Sequence, residues 1–194
     1  MPPVTSKAHV KPHPTSDDAA LLDRVRSGEA SAFETLVQVN WAPLVGYAAR
    51  IVGDVDAAED VVQEALVRFW ERRAEWRPKS EARAILYTIT RNLGLTHRQA
   101  QSARERRASR LPTGSIPVPR TPIQDLDQHE ADAALESAIQ ALPPRRREVL
   151  ILARFNGLSY RLIAEIMKIS VPTVANHMSA ALADLDRALS EYLS

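Results

Sequence analysis

Asp54-Val55-Asp56-Ala57-Ala58-Glu59-Asp60-Val61-Val62-Gln63-Glu64-Ala65-Leu66-Val67-Arg68-Phe69-Trp70 is the most strongly periodic stretch of the chain. Val55, Ala58, Val61, Val62, Ala65, Leu66, Phe69 and Trp70 fall at helical spacing, which predicts a single apolar stripe. Glu59, Asp60, Gln63 and Glu64 occupy the opposite face. The stretch therefore reads as a helix with one side in a core and one acidic side left over. The same helical chemistry continues outward in both directions. Ala, Leu, Arg and Glu dominate, and all favour helix, while alternating runs rich in Val, Ile and Tyr are nearly absent. The expected fold class is all-α.

Upstream, a first helix is expected from Asp17 or Asp18, acids suited to an N-terminal turn, to Gly28. Ser31 with Glu34 three residues on forms a capping box before Phe33, Leu36 and Val37. Pro43 is expected to interrupt or restart that helix, and the Leu44–Val52 stretch ends at Gly53. Downstream, Trp76-Arg77-Pro78-Lys79-Ser80 reads as a loop. Lys79 or Ser80 then starts a helix with Ile85, Leu86, Ile89 and Leu93 inside. Arg83, Tyr87, Thr88, Arg91, Asn92 and Arg98 form its expected outer edge, followed by Arg104, Arg106, Arg107 and Arg110 with only Glu105 opposing.

The prolines divide the chain. Pro2, Pro3, Pro12 and Pro14 mark a disordered tail over residues 1–16. Pro112, Pro117, Pro119 and Pro122 mark an extended linker over 108–126, because proline cannot donate to a helix and biases its predecessor toward extended geometry. Two small helical blocks remain, 17–107 and 127–194, neither able to bury a large core. In the second block a helix over Ala131–Leu142 stops at Pro143-Pro144. The next runs from Pro144, a good first-turn residue, to Gly157. Ser159 and Ser170 cap the last two helices, and Pro172 lies in the final helix's first turn.

The 194 residues include no cysteine, which excludes a disulfide framework, a zinc–cysteine site, an iron–sulfur cluster and a thiol nucleophile. No run of about 18 apolar residues exists, and the N-terminus lacks the apolar region of a secretory signal, so the expected compartment is the cytoplasm. The formal net charge of +1 argues weakly against nucleic-acid binding. That sum is a cancellation. Acids gather at 54–64 and at Asp125, Asp127, Glu130 and Asp132, whereas arginines gather at 91–110 and 145–147. No nucleophile–base pair or metal-ligand set stands out, so neither an enzyme nor a cofactor is expected.

Three constellations carry chemistry. Leu158–Met167, Lys168-Ile169-Ser170 and Val171–Leu185 have a helix-turn-helix pattern. Ala164 allows a close crossing, Ile169 fills the turn, and Val174, Met178 and Leu182 line the inner side. Thr173, Asn176 and His177 then point outward near the end that enters a major groove. A plain helical hairpin is the alternative. Asp54, Asp56, Glu59, Asp60, Gln63 and Glu64 form an acidic face that is either solvated, with its early acids suiting the helix dipole, or a docking face for a basic protein. Trp76, Arg77, Lys79, Arg83, Tyr87, Arg91, Asn92 and Arg98 interleave cations with aromatics, as single-stranded nucleic acid requires. The competing reading is that Trp76 covers the core and the arginines solubilise.

Taken together and in this order, these segments resemble the extracytoplasmic-function (ECF) sigma factors of bacterial RNA polymerase, in the sigma-70 superfamily. The resemblance is carried by Asp56–Trp70, by Ile85-Leu86-Tyr87-Thr88-Ile89-Thr90-Arg91-Asn92-Leu93, and by Leu142-Pro143-Pro144-Arg145-Arg146-Arg147-Glu148-Val149 followed by the helix-turn-helix from Gly157. It covers roughly residues 17–190. It implies a sigma region 2 bundle over 17–107 and a region 4 helix-turn-helix over 127–194. Asp56, Glu59, Asp60, Gln63 and Glu64 would dock on the clamp helices of the largest polymerase subunit, with the flap as a second contact. Trp76, Arg77, Lys79, Arg83, Tyr87, Thr88, Arg91, Asn92 and Arg98 would meet the −10 element, the 73–80 loop receiving a flipped base. Ser159, Tyr160, Arg161, Ser170, Thr173, Asn176 and His177 would meet the −35 element.

The linker would thread toward the RNA exit region; about 18 extended residues span up to roughly 60 Å. Ile85 stands where tryptophan is usual, and Thr96 where an acid is usual. Ala175, His177, Ala180 and Leu182 replace the arginines of many relatives, which implies fewer phosphate contacts and a shallower salt dependence. His177 with alanines after it resembles the iron-uptake-type subgroup, whose partners are membrane-anchored anti-sigma factors. The function implied is promoter selection and −10 opening. The rivals are a helix-turn-helix regulator and a sigma mimic that sequesters an anti-sigma factor.

Overall fold

A computed structural model describes residues 15–77, 81–108 and 126–192. The first block contains α1 (Thr15–Arg26), α2 (Ala30–Val52), α3 (Val55–Glu71) and α4 (Ala82–Ala108), with a 3-10 turn at Arg73–Glu75. The second contains α5 (Leu126–Ala141), α6 (Pro144–Leu150), a π-helical segment at Ile151–Phe155, α7 (Tyr160–Met167) and α8 (Val171–Tyr192). No strand occurs among the described residues, so the all-α, two-block organisation holds. Most of the expected tail, Pro78-Lys79-Ser80 in the loop, and linker residues 109–125 lie outside the described residues.

The α3 stripe is buried at Ala58, Val61, Val62, Ala65, Leu66 and Phe69, with Trp70 half-buried. Val55 departs from it and is 57% exposed. As first residue of α3 it precedes the turn that faces the core. Asp54 caps the helix, accepting from Ala57 N–H at 2.8 Å, and satisfies one of the donors every helix start leaves free. Gly53 ends α2 at φ 86°, a left-handed conformation that costs glycine little.

Two expectations for α2 fail. Ser31 is not its cap; the cap position belongs to Glu29, and the Ser31 hydroxyl donates to the Glu29 carboxylate at 2.8 Å. Arg24 hydrogen-bonds the same carboxylate and, with Ser31, holds its pKa down to about 2. Pro43 does not break the helix. The carbonyl deprived of its partner is that of Val39, a residue on the exposed side, where water can replace the lost bond. Gly94 of α4 sits against α2; a Cβ there would lie 3.1 Å from Ile51 Cγ2, so its smallness sets the α2–α4 spacing.

In the second block α5 begins at Leu126, earlier than the sequence suggests. The helix expected to run from Pro144 to Gly157 changes form at Ile151, where the ladder widens and Asn156 N–H reaches the Ile151 carbonyl at 3.1 Å. Arg147 donates to the Leu142 carbonyl at 3.0 Å and also to the Gln140 carbonyl, closing the end of α5. Arg146 pairs with Asp184 of α8 at 2.5 Å. Two arginines of the 145–147 cluster thus hold the block together.

The buried residues of both blocks form one apolar cluster, from Leu22 through Tyr47, Phe69 and Leu86 to Leu152, Ile163 and Leu185. The second block packs on the first, with α7 against α4.

Candidate nucleic-acid interface

The acidic face of α3 follows directly from the helical period. With the apolar stripe buried, Asp56, Glu59, Asp60, Gln63 and Glu64 all project outward and are exposed. Glu64 pairs with Arg68 one turn on at 2.5 Å. An exposed i,i+4 pair is worth only about 0.3–0.5 kcal/mol, so this face stays available to a basic partner.

The expected outer edge of α4 is largely covered. Tyr87 is fully buried, and its ring lies 5.3 Å from that of Tyr47. Burial, above all, raises the pKa values of both phenols, and Glu148 adds to the rise at Tyr47. Thr88 is half-buried and turns its hydroxyl back to the Ala84 carbonyl at 2.7 Å. Arg91 meets Glu148 of α6 through Nε at 2.5 Å and Nη2 at 3.2 Å, with side chains 13% and 14% exposed. Arg83 donates to the Asn156 carbonyl at 3.1 Å. The second block, whose position sequence alone does not reveal, supplies the partners of Arg91 and Arg83.

Asn92, Arg98 and Arg77 remain exposed. Asn92 lines a groove of about 430 Å³ between α3 and α4 with Arg68, Arg72, Ile89, Leu93 and Thr96. Trp76 takes the core-covering placement: its indole N–H donates to the Phe69 carbonyl at 3.0 Å, and its ring lies 5.7 Å from that of Phe69. Lys79 lies outside the described residues.

The helix-turn-helix forms as its caps predict. Ser159 accepts from Leu162 N–H at 3.3 Å, and Ser170 from Thr173 N–H at 3.2 Å. Ile169 N–H reaches the Ala164 carbonyl at 3.0 Å across the turn. Lys168 ends α7 at φ 54°. Val174 and Met178 are buried as expected, but Leu182 is 42% exposed, and Ala181 and Leu185 take the inner positions instead. Outside, Ser159, Tyr160, Arg161, Ser170 and Asn176 are exposed, and Thr173 and His177 half-exposed. Arg161 is also paired with Glu81 at the foot of α4.

Three residues that the sequence did not single out join the blocks. Glu148 accepts from Arg91 and, at 2.9 Å, from Tyr47. Asn156 Nδ2 donates to the Pro43 carbonyl and the Tyr87 hydroxyl, both at 3.0 Å. Glu81 is 9% exposed and holds Arg161. Their only signal in sequence is chemical: Glu81 and Asn156 are polar residues at a helix start and a helix end, and Glu148 is a polar residue within α6.

Comparison with known proteins agrees with this architecture. Residues 36–104 match the family "Sigma-70 region 2", and residues 132–185 match "Sigma-70, region 4". The RNA polymerase sigma-H factor of Pseudomonas aeruginosa is 30% identical over 190 residues, covering 91% of this chain and 95% of that protein. The ECF RNA polymerase sigma factor SigL of Mycobacterium tuberculosis is 33% identical over 178 residues, covering 89% and 97%. In fold, the chain is similar to the sigma factor RpoE of Bartonella quintana, solved in complex with the anti-sigma factor NepR (TM-score 0.64, 23% identity, 81% of this chain and 96% of that one). The helix-turn-helix, the acid-faced α3 and matches over nearly the whole length together place this chain in the ECF family of RNA polymerase sigma factors.

Proposed function

We propose that this sigma factor divides its work among three surfaces. The acidic face of α3 docks on the clamp helices of core polymerase. The exposed side of α7 and α8 reads the −35 duplex through Asn176, His177 and Thr173. The α4 edge from Arg91 to Arg98, with the 76–80 loop, meets the melted −10 strand. The observation that carries this division is the α3 face, where five polar side chains are all exposed while the helix's other side is sealed in the core. Binding energy alone would drive strand opening, without covalent chemistry in this chain.

An anti-sigma factor is the regulator this reading implies. The fold similarity to a sigma factor solved with one supports it. His177 with alanines after it on α8 supports the iron-uptake-type subgroup and hence a membrane-anchored regulator. Among the described residues no helix is long and apolar enough to cross a membrane.

In vitro transcription with purified core polymerase on a library of promoter fragments tests the reading. Selective, core-dependent starts are expected. Arg91→Ala and Asn92→Ala should impair opening more than core binding. Equal loss of holoenzyme assembly would remove these residues from DNA.

A further inference from the structure

Of the large apolar side chains of α3, only Val55, at its first residue, and Val67, in its body, are more than half exposed. Val67 is 54% exposed and lies outside the apolar cluster that joins the helices. The helical period fixes its neighbours. Gln63 is four residues before it, Glu64 three before and Glu71 four after, and Asp60 lies two turns before on the same side. All four are exposed. Glu64 and Arg68 close one flank with their ion pair. Val67 is therefore an apolar spot one side chain wide inside a polar and charged rim.

The free chain gains little from a valine there. A β-branched residue loses side-chain freedom in a helix and is a poorer helix former than alanine, and an exposed one recovers little by burial. A lone exposed apolar residue is ordinary on a protein surface. This one stands at the centre of a face that also carries the charges a basic partner needs. Binding energy concentrates in desolvated apolar centres, and the ring of polar contacts around them mainly excludes water. Charge contributes approach and orientation.

We propose that Val67 is the apolar anchor of the α3 docking face, entering a recess one side chain wide between basic groups on the clamp helices of core polymerase. This rests on the assignment of α3 to core docking. Asp60, Glu64 and Glu71 meet the basic groups, and Val67 supplies a contact that salt does not screen. Acidic side chains alone suit any basic surface. An apolar centre adds the demand for a recess at a set distance from the cations, and so discriminates among basic partners.

The test is equilibrium competition between variant and labelled parent, both full-length, for purified core polymerase at low and high salt. Val67→Ala should weaken core binding about fivefold, by the same factor at both salts. Its urea midpoint should equal or exceed the parent's, because alanine is the better helix former; a residue needed for the fold would lower it. Val67→Thr keeps the shape and replaces a methyl with a hydroxyl, so it should also bind more weakly, and it stands in if Val67→Ala fails to fold. Val67→Glu gives the sharpest contrast. A face working by charge alone would bind core more tightly with the added acid, and that result would overturn the anchor; the anchor predicts looser binding. A loss in Val67→Ala that disappears at high salt would overturn it too. Asp60→Arg separates the anchor from the docking assignment. If it weakens core binding while Val67→Ala and Val67→Thr bind like the parent, the anchor falls and the assignment stands. If all three bind like the parent, both fall.

Discussion

Trp76 offers a sharp test, because the sequence allows it two roles and the structure favours one. Replacing it with alanine removes a half-buried indole whose N–H donates to the Phe69 carbonyl at 3.0 Å and whose ring lies 5.7 Å from that of Phe69, 23° from parallel. Truncating a fully buried aromatic costs about 3–5 kcal/mol, and partial exposure brings this to about 2. The lost hydrogen bond adds about 1 kcal/mol. Trp76→Ala should therefore destabilise the fold by about 3 kcal/mol. Trp76→Phe, which keeps a ring on Phe69 and loses the bond, should cost about 1 kcal/mol. Urea unfolding followed by circular dichroism gives both values, and permanganate reactivity of promoter thymines gives opening. The structural role requires Trp76→Phe to open promoters within about threefold of the parent. If Trp76→Phe keeps near-parent stability yet opens as poorly as Trp76→Ala, the indole acts on DNA and the anchoring argument fails.

Asp60→Arg should weaken binding to core polymerase without changing stability by more than about 0.5 kcal/mol, as expected of an exposed site; unchanged core affinity in a competition assay would leave the acidic face merely solvated. Ser170→Ala removes the α8 cap and should cost about 1 kcal/mol in urea unfolding, with weaker −35 duplex binding; an unaltered midpoint would show the cap to be idle. Tyr47 and Tyr87 hold their protons in the fold beyond the usual phenol range because burial opposes the phenolate. Their folded pKa values lie above the unfolded value of about 10, so this stabilisation is complete below pH 10 and drains away as pH rises above it. Ultraviolet titration should show two of the four tyrosines ionising only as helix content falls; all four ionising near pH 10 with the helices intact would contradict the burial described.

The α3 stripe was legible because helical periodicity is a local property, and so were the caps Asp54, Ser159 and Ser170. Errors arose where tertiary context decided. Nothing near Pro43 announces that its orphaned carbonyl would fall on the exposed side, so a break was the reasonable expectation. The α4 edge misled for the same reason at larger scale. Its period correctly separates Leu86 from Arg91, but Tyr87 and Arg91 are covered by residues 57 to 69 positions later in the chain. The outward placement of the expected docking and −35 residues was legible because the period alone tells which side of a helix is left outside. Glu148 and Asn156 were missed because their role exists only once two blocks meet.

The π segment has a consequence for how the chain tolerates length changes. In an ordinary α-helix each residue adds about 100° of rotation and 1.5 Å of rise. Ile151–Phe155 spreads its turn over an extra residue, as the Asn156-to-Ile151 bond records. Deleting one residue there would restore a regular helix and leave everything downstream close to its present bearing, because the wider turn already absorbs the extra residue. The same deletion in the regular turns of α6 has no spare residue to draw on, so everything downstream would turn by about 100° and Asn156 would swing off Tyr87. The five positions are thus the place where the chain can lose a residue and keep its bearing, while a loss just upstream leaves the motif folded but aimed elsewhere.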